Sequence, residues 1–333
     1  MSFDPDAPAD GDGLYGLRCT AETSRIHVQA VPWQATTSYR RGTRGGPAAT
    51  VAASRQVDLL DLEYGEVWQA GIWLQPVDPR IAAWDEAAEV DALEVISSGG
   101  RSPEAAERVN RLSEAVNEAV YTAAAGMLRE GRLPALLGGD HASPFGLIRA
   151  VAERHPGVGI LHIDAHADLR VAYEGFSFSH ASIMDNVLRY IPGVSTLVQV
   201  GIRDFGAAEL ERIRTDARIA TFFDVETGRR LAGGETWLRI CEQIVRALPE
   251  EVHVSFDVDG LQPSLCPATG TPVPGGLDWN QTLTLISTLA EERRIVGFDV
   301  NEIGDDEWDG NVAARLFYKL CGAMLRSQET DQK

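Results

Sequence analysis

GILHIDAHAD, residues 159–168, passes without a break from an apolar run into Asp164, His166 and Asp168. The run is too short for a helix and reads as a strand buried on both faces. In extended backbone the i, i+2, i+4 spacing puts Asp164, His166 and Asp168 on one side. The construction recurs. VHVSFDVDG (252–260) delivers Asp257 and Asp259, PALLGGDHAS (134–143) delivers Asp140 and His141, and RIVGFDVNE (294–302) delivers Glu302. STLVQV (195–200) is a further buried strand. Helical patterns lie between these strands. The clearest spans 103–130, with Ser102 as its cap, Pro103 in the first turn and Gly131 as its stop. Val109, Leu112, Val116, Val120 and Met127 mark its apolar face. Strands alternating with helices predict an α/β fold with a mainly parallel sheet covered on both faces. In such sheets ligands bind at the carboxyl ends of the strands. Four strands that end in ionisable residues at that edge therefore predict one shared site.

The set His141, Asp164, His166, Asp168, Asp257 and Asp259 contains four carboxylates and two imidazoles. A single such pair often caps a helix or holds a turn. Three segments carrying them to one sheet edge fit the first coordination shell of a two-metal centre, where four carboxylates balance two divalent cations. An oxygen-rich set without thiolate suits Mn²⁺ better than structural Zn²⁺, and Ni²⁺ and Co²⁺ are also compatible. Two ions bridged by carboxylates lower the pKa of a water they share. His162 lies inside the strand and reads as a core residue or as a support for the ligands.

The bulk properties agree with an enzyme domain. A chain of 333 residues suits one large α/β domain. A formal net charge of −19 argues against nucleic acid or an anionic membrane as partner. It is compatible with attracting a cationic substrate and equally with plain solubility. The start, MSFDPDAPADGDG, is acidic and lacks the apolar core of a secretory signal. No apolar run approaches the roughly 18 residues of a membrane span. Cys19, Cys241, Cys266 and Cys321 are scattered without a CxxC pair, which suits reduced thiols in a cytoplasmic protein. Cys266, close to a metal segment, is either a packed thiol or a reactive one. Residues 1–24 read as a flexible tail, 25–326 as a single domain and 327–333 as a C-terminal tail.

The motifs GGDH (138–141), DAHAD (164–168) and SFDVDGLQPSLCPATGTPVPGG (255–276) resemble those of the ureohydrolase family, which includes arginase and agmatinase. VPWQATTSYRRGTRGGPAA (31–49) resembles the family's opening strand and loop, and GFDVNEIG (297–304) its last active-site strand. The resemblance runs from about residue 27 to 325. It implies a three-layer α/β/α sandwich on a mostly parallel, eight-stranded sheet, and assembly into homotrimers or homohexamers. It also implies that His141, Asp164, Asp168 and Asp257 serve one metal, and that His166 and Asp259 complete the other with Asp164 and Asp257 bridging. Asp168 would orient the attacking oxygen. Glu302 matches the carboxylate that grips the guanidinium group, and His180, in FSFSHASIM, the histidine that passes protons to the leaving amine. The implied reaction is hydrolysis of a guanidino C–N bond to urea and an amine. A paired carboxylate suits a planar cation, and a histidine suits proton transfer near neutral pH.

The chain departs from the family pattern at Gln262, at Ala142 and at the pair Trp33–Gln34, none of which is a metal ligand. The loop 169–179 should face the substrate's tail. It lacks the Asn- and Ser-rich character of arginases, which places agmatine ahead of arginine. Glu174 is a candidate for the distal ammonium of agmatine. Arg170 would repel a cationic tail but pair with a carboxylate, as in guanidinobutyrate or formiminoglutamate. Tyr173, Phe176 and Phe178 could close the pocket around free guanidine, which ranks second to agmatine. Two other classes stand as rivals: a non-catalytic metal-binding scaffold and a single-zinc deacetylase. Intact His180 and Glu302 oppose the first, and His166 with Asp259 the second.

Overall fold

A computed structural model describes residues 4–329. Eight strands form one sheet: β1 (Ile26–Val31), β2 (Ile72–Leu74), β3 (Leu133–Gly138), β4 (Val158–Ile163), β5 (Val194–Ile202), β6 (Ile219–Phe223), β7 (Glu251–Asp257) and β8 (Arg294–Asn301). Their order is β2-β1-β3-β8-β7-β4-β5-β6, and every pairing is parallel. The first five helices are α1 (Gly46–Ser54), α2 (Pro79–Ser98), α3 (Pro103–Arg129), α4 (Phe145–Arg154) and α5 (Ile183–Tyr190). They are followed by α6 (Ala207–Thr215), α7 (Asp224–Ala232), α8 (Trp237–Arg246), α9 (Trp279–Glu292) and α10 (Glu307–Ser327).

Alternate strand residues point to opposite faces, so each run of apolar residues feeds two cores. Leu136, Ile160 and Leu197 pack with α2, α3, α4 and α5 on one face. Leu137, Leu161, Val198 and Val254 pack with α8, α9 and α10 on the other. This is the expected three-layer α/β/α sandwich. All eight carboxyl ends share one edge because every pairing is parallel.

Helix α3 occupies the expected span. It stops as Gly131 takes up φ +70° and Arg132 N–H returns to the Met127 carbonyl at 2.9 Å. Ser102 stands at the cap position but its side chain makes no capping bond; its carbonyl accepts Ala106 N–H at 3.0 Å instead. Pro103 brings no N–H, so the first turn has one donor fewer to satisfy.

The expected N-terminal tail needs correction at residues 14–17. Leu14, Tyr15 and Leu17 are buried. Tyr15 donates its hydroxyl to the Ala314 carbonyl of α10 at 2.9 Å, and its ring centroid lies 4.8 Å from that of Tyr318. The Gly, Asp and Pro content around LYGL masks four residues that bury apolar surface. At the other end, Ser327 Oγ accepts Ile295 N–H at 3.0 Å, which ties the first residue of the expected C-terminal tail to β8. Residues 1–3 and 330–333 of the two expected tails lie outside the described residues. Among the described residues no helix is long and apolar enough to cross a membrane.

Candidate metal centre

β3, β8, β7 and β4 lie side by side in the middle of the sheet, and each ends in part of the site. Past β3 the chain turns through Gly138 and Gly139. A Cβ on Gly138 would stand 1.9 Å from Asn301 Oδ1, and one on Gly139 1.9 Å from the Trp33 carbonyl oxygen. That closeness lets three strand ends meet. Asp140 N–H donates to the Trp33 carbonyl at 2.7 Å, and Glu302 N–H to the Gly139 carbonyl at 2.8 Å.

The six expected ligands converge. His141 Nδ1 lies 3.0 Å from Asp164 Oδ2, 3.4 Å from Asp168 Oδ2 and 3.3 Å from Asp257 Oδ2. His166 Nδ1 lies 3.4 Å from Asp164 Oδ1 and 3.0 Å from Asp259 Oδ2. One oxygen of Asp164 thus faces each imidazole. Ligand atoms of His141, His162, Asp164 and Asp168 are close enough together to hold one ion, as are those of Asp164, His166 and Asp259. Asp257 is in neither group, although its Oδ2 approaches His141 Nδ1 to 3.3 Å. Behind the ligands, His141 Nε2 bonds with Ser255 Oγ at 3.0 Å, and Ser255 donates to Asp299 Oδ1 at 2.8 Å.

The donor set fits divalent cations. Burial and the neighbouring Asp164 hold the Asp168 carboxyl well above its ordinary range. Burial, Asp259 and Asp164 do the same to Asp257. Burial opposes charge on His141, yet Asp164 and Asp257 outweigh it and raise that group. Asp164 differs: burial opposes its charge, yet the imidazoles of His162, His141 and His166 outweigh it and hold the carboxyl well below its ordinary range. Each carboxyl of the cluster thus takes its charge from the cationic partners it has. No thiolate enters the set; buried Cys266 has its thiol pushed up well above the ordinary value, by burial first, and is packed rather than reactive.

Asp168 and Glu302 both adopt positive φ, 53° and 61°, a conformation uncommon outside glycine. Asp168 is pinned there by the N–H groups of Met184 and Asp185, both 3.1 Å from its carbonyl. Glu302 is buried beside the cluster. Its Oε1 accepts His141 N–H at 2.9 Å, and its Oε2 has no partner. Gly270 leaves the space in front of it, since a Cβ there would come within 2.9 Å of Oε2. Burial, then Asp257 and Asp140, raise the Glu302 carboxyl well above its ordinary value.

His180 sits between two hydroxyls of the β1 loop. Thr36 Oγ1 is 3.4 Å from its Nδ1 and accepts its backbone N–H at 3.0 Å, while Ser38 Oγ is 3.4 Å from Nε2. Thr36 is in turn anchored on Asp140 Oδ2 at 2.8 Å. Burial, with His166 adding to it, pushes His180 down to about 4, so the ring stands neutral near pH 7.

A cavity of about 280 Å³ opens onto His166, Asp168 and His180. Ser38, Tyr39, Tyr173, Asp204, Pro272 and Val273 are among its walls. Of the two expected tail contacts, Arg170 lines it and Glu174 does not. Arg170 is already committed, with Nε 3.5 Å from Glu209 Oε2 and its guanidinium 4.8 Å from the centre of the Tyr173 ring. Glu174 takes up φ 55° in a short turn whose backbone packs on Gly100. Phe176 is buried in the core. Among the departures, Gln34 keeps an acceptor's job: its Oε1 takes Gly42 N–H at 2.8 Å and orders the loop that follows.

The sequence reading gave no individual role to Thr36, Ser38, Tyr39 or Asp204. A signal was present. TTSYR follows β1, and Asp204 follows β5, by the same rule that located the ligands. Arg203, beside Asp204, donates to the Asp259 carbonyl at 2.6 Å and the Val273 carbonyl at 2.9 Å, tying a ligand segment to the cavity wall.

Carboxylates and imidazoles gathered at the carboxyl edge of a parallel sheet, with an unpartnered acid beside them, are the equipment of a metal-dependent hydrolase. His166 and Asp259 form a second donor group that a single-zinc site does not use. The chain belongs to the arginase family, which it matches over residues 24–325. It is 32% identical over 303 residues to N(1)-aminopropylagmatine ureohydrolase of Thermus thermophilus, covering 90% of each chain. It is 25% identical over 304 residues to agmatinase of Pyrococcus horikoshii, covering 90% of this chain and 92% of that one. Its fold is shared with the agmatine ureohydrolase of Thermoplasma volcanium, at a TM-score of 0.73, 22% identity and 96% coverage of both chains. The protein is an arginase-family ureohydrolase, a hydrolase of C–N bonds other than peptide bonds.

Proposed function

We propose that the substrate is an alkylguanidine with a distal cation, agmatine first, cleaved to urea and the free amine. The observation that carries this reading is the charge balance of the cavity wall. Arg170 is paired with Glu209, whereas Asp204 has no side-chain partner among the described residues. The mouth therefore offers one free negative charge and no free positive one, which suits an ammonium tail and not a carboxylate. The cavity also extends beyond the space a bare guanidinium ion needs.

His141, Asp164, Asp168 and Asp257 would hold one metal ion, and His166 and Asp259 the other, with Asp164 and Asp257 shared. Mn²⁺ suits the oxygen-rich donors, with Ni²⁺ and Co²⁺ as alternatives. Bound divalent ions supply electrostatic activation of water at this edge. The rest of the work falls to the chain. Glu302 Oε2 accepts N–H bonds from the guanidinium, fixes its plane, and gains the cation that its buried charge lacks. His180, held by Thr36 and Ser38, is neutral near pH 7 and is therefore able to take the proton that the hydrolytic water gives up and pass it to the leaving nitrogen. Tyr39, Tyr173 and Pro272 line the cavity beside His180. A cytoplasmic location is supported by the four free cysteines. Trimers or hexamers are supported by the family resemblance and are checked by light scattering.

The test is a urea-release screen of agmatine, guanidine, guanidinobutyrate and arginine after loading with Mn²⁺ or Ni²⁺. Agmatine should have the highest kcat/KM. Faster turnover of guanidinobutyrate or guanidine would replace this reading, and no urea from any of them would favour a scaffold.

A further inference from the structure

Beneath the ligands, one row of residues across the sheet is polar where its neighbours are apolar. The pairing register aligns Thr221 on β6 with Gln199 on β5, His162 on β4, Ser255 on β7 and Asp299 on β8. The rows on either side are Leu161, Val198, Val254 and Phe298, and Ile163, Val200, Phe256 and Val300. Gln199, His162, Ser255 and Asp299 are fully buried. Polar groups in such a place are costly unless every one is bonded, and a satisfied network fixes its members in one arrangement.

The His162 arm has one consistent hydrogen-bond assignment. Thr221 donates its hydroxyl to Gln199 Oε1 at 2.9 Å. That orients the amide, whose Nε2 donates to the Ala167 carbonyl at 2.8 Å and to His162 Nδ1 at 3.0 Å. His162 Nδ1 is therefore the acceptor, and the ring carries its proton on Nε2. That Nε2–H donates to Asp164 Oδ2 at 2.8 Å. Both ring nitrogens are thus occupied, although His162 lies close enough to the cluster to be taken for a ligand.

We infer that His162 is a positioning residue for Asp164, locked in its Nε2–H tautomer by Gln199 and Thr221, and not a metal ligand. It rests on the metal-centre reading above. Asp164 is the one carboxylate that faces both imidazoles, so its orientation sets the geometry of both halves of the site. The donor from His162 on Oδ2, with the His166 backbone N–H on Oδ1 at 2.6 Å, holds the carboxylate plane between the two imidazoles. Partners of this kind, one bond behind the ligands, commonly set metal affinity by 10- to 100-fold.

The experiment is calorimetric titration of the chelator-stripped full chain with Mn²⁺, together with the visible absorption spectrum of the Co²⁺ form. His162→Phe removes the donor, His162→Gln keeps an N–H donor toward Asp164, Gln199→Leu removes the tautomer lock, and Thr221→Val removes its outer anchor. H162F should bind Mn²⁺ about 10- to 100-fold more weakly with a shifted Co²⁺ spectrum, and H162Q should recover most of the affinity with two ions still bound. Q199L and T221V should lose progressively less. Circular dichroism and Tm identify a variant that fails to fold, and the series from H162Q to T221V then decides. Affinities within twofold of wild type across the folded variants overturn the proposal. Loss of one whole ion in H162Q overturns it too, by marking His162 as a ligand. A wild-type chain that takes up no ion overturns the metal-centre reading itself.

Discussion

Glu302 accepts the backbone N–H of His141 through Oε1 at 2.9 Å, while its buried Oε2 has no partner. One oxygen thus ties the acid to the turn that carries His141, and the other is left free for the guanidinium that the proposed function assigns to it. Glu302→Gln keeps the shape and removes the charge. A charge-assisted bond is worth about 1.5–3 kcal/mol, so kcat/KM for guanidino substrates should fall roughly 10- to 100-fold with metal content unchanged. Metal analysis that shows lost ions would instead make Glu302 a ligand.

Asp257 ends β7 and lies 3.3 Å from His141 Nδ1. Replacing it with Ala should abolish urea release and lower metal loading together. Undiminished turnover in D257A would remove the two-metal reading.

Asp204→Asn tests the tail. It should lower kcat/KM for agmatine by about tenfold, the effect of roughly 1.4 kcal/mol, and leave guanidine, which has no tail, unchanged. An equal loss on both substrates would place Asp204 among the supports of the site, which its backbone bridge to His166 allows, and not at the substrate's end.

Asp309, in the first turn of α10, accepts Ala268 N–H at 3.1 Å, and burial above all pushes its carboxyl up to about 6. The folded state therefore holds this proton more tightly than the unfolded chain, where an Asp titrates near ~3.9. The stabilisation is present below about pH 4 and is lost as pH rises through 6, at up to ~1.4 kcal/mol per unit. Asp309→Asn removes that loss. Its Tm should gain on wild type between pH 4.5 and 7, and a gap independent of pH would contradict the assignment.

Tyr15→Ala addresses the N-terminal segment. Deleting a buried aromatic ring costs about 3–5 kcal/mol, so the denaturant midpoint should drop sharply. A midpoint equal to wild type would return residues 14–17 to the status of a loose tail.

The sequence by itself determined the layered fold and the cluster. GILHIDAHAD and VHVSFDVDG each place acids directly after a buried strand, and a parallel sheet sends all such ends to one edge. Local pattern suffices there because strand period and strand end are properties of a few adjacent residues. The order of the strands is not such a property. Only the tertiary structure decided that β3, β8, β7 and β4 are neighbours, and hence that Asp164 faces both His141 and His166. It alone showed that Arg170 is paired with Glu209, that Glu174 does not line the cavity, and that LYGL packs on α10. His162, Gln199 and Thr221 are single polar residues inside three separate apolar runs, with 22 to 37 residues between bonded partners. Nothing in any one run says they meet. Register across the sheet aligns them, and register is fixed by the packing of both faces at once.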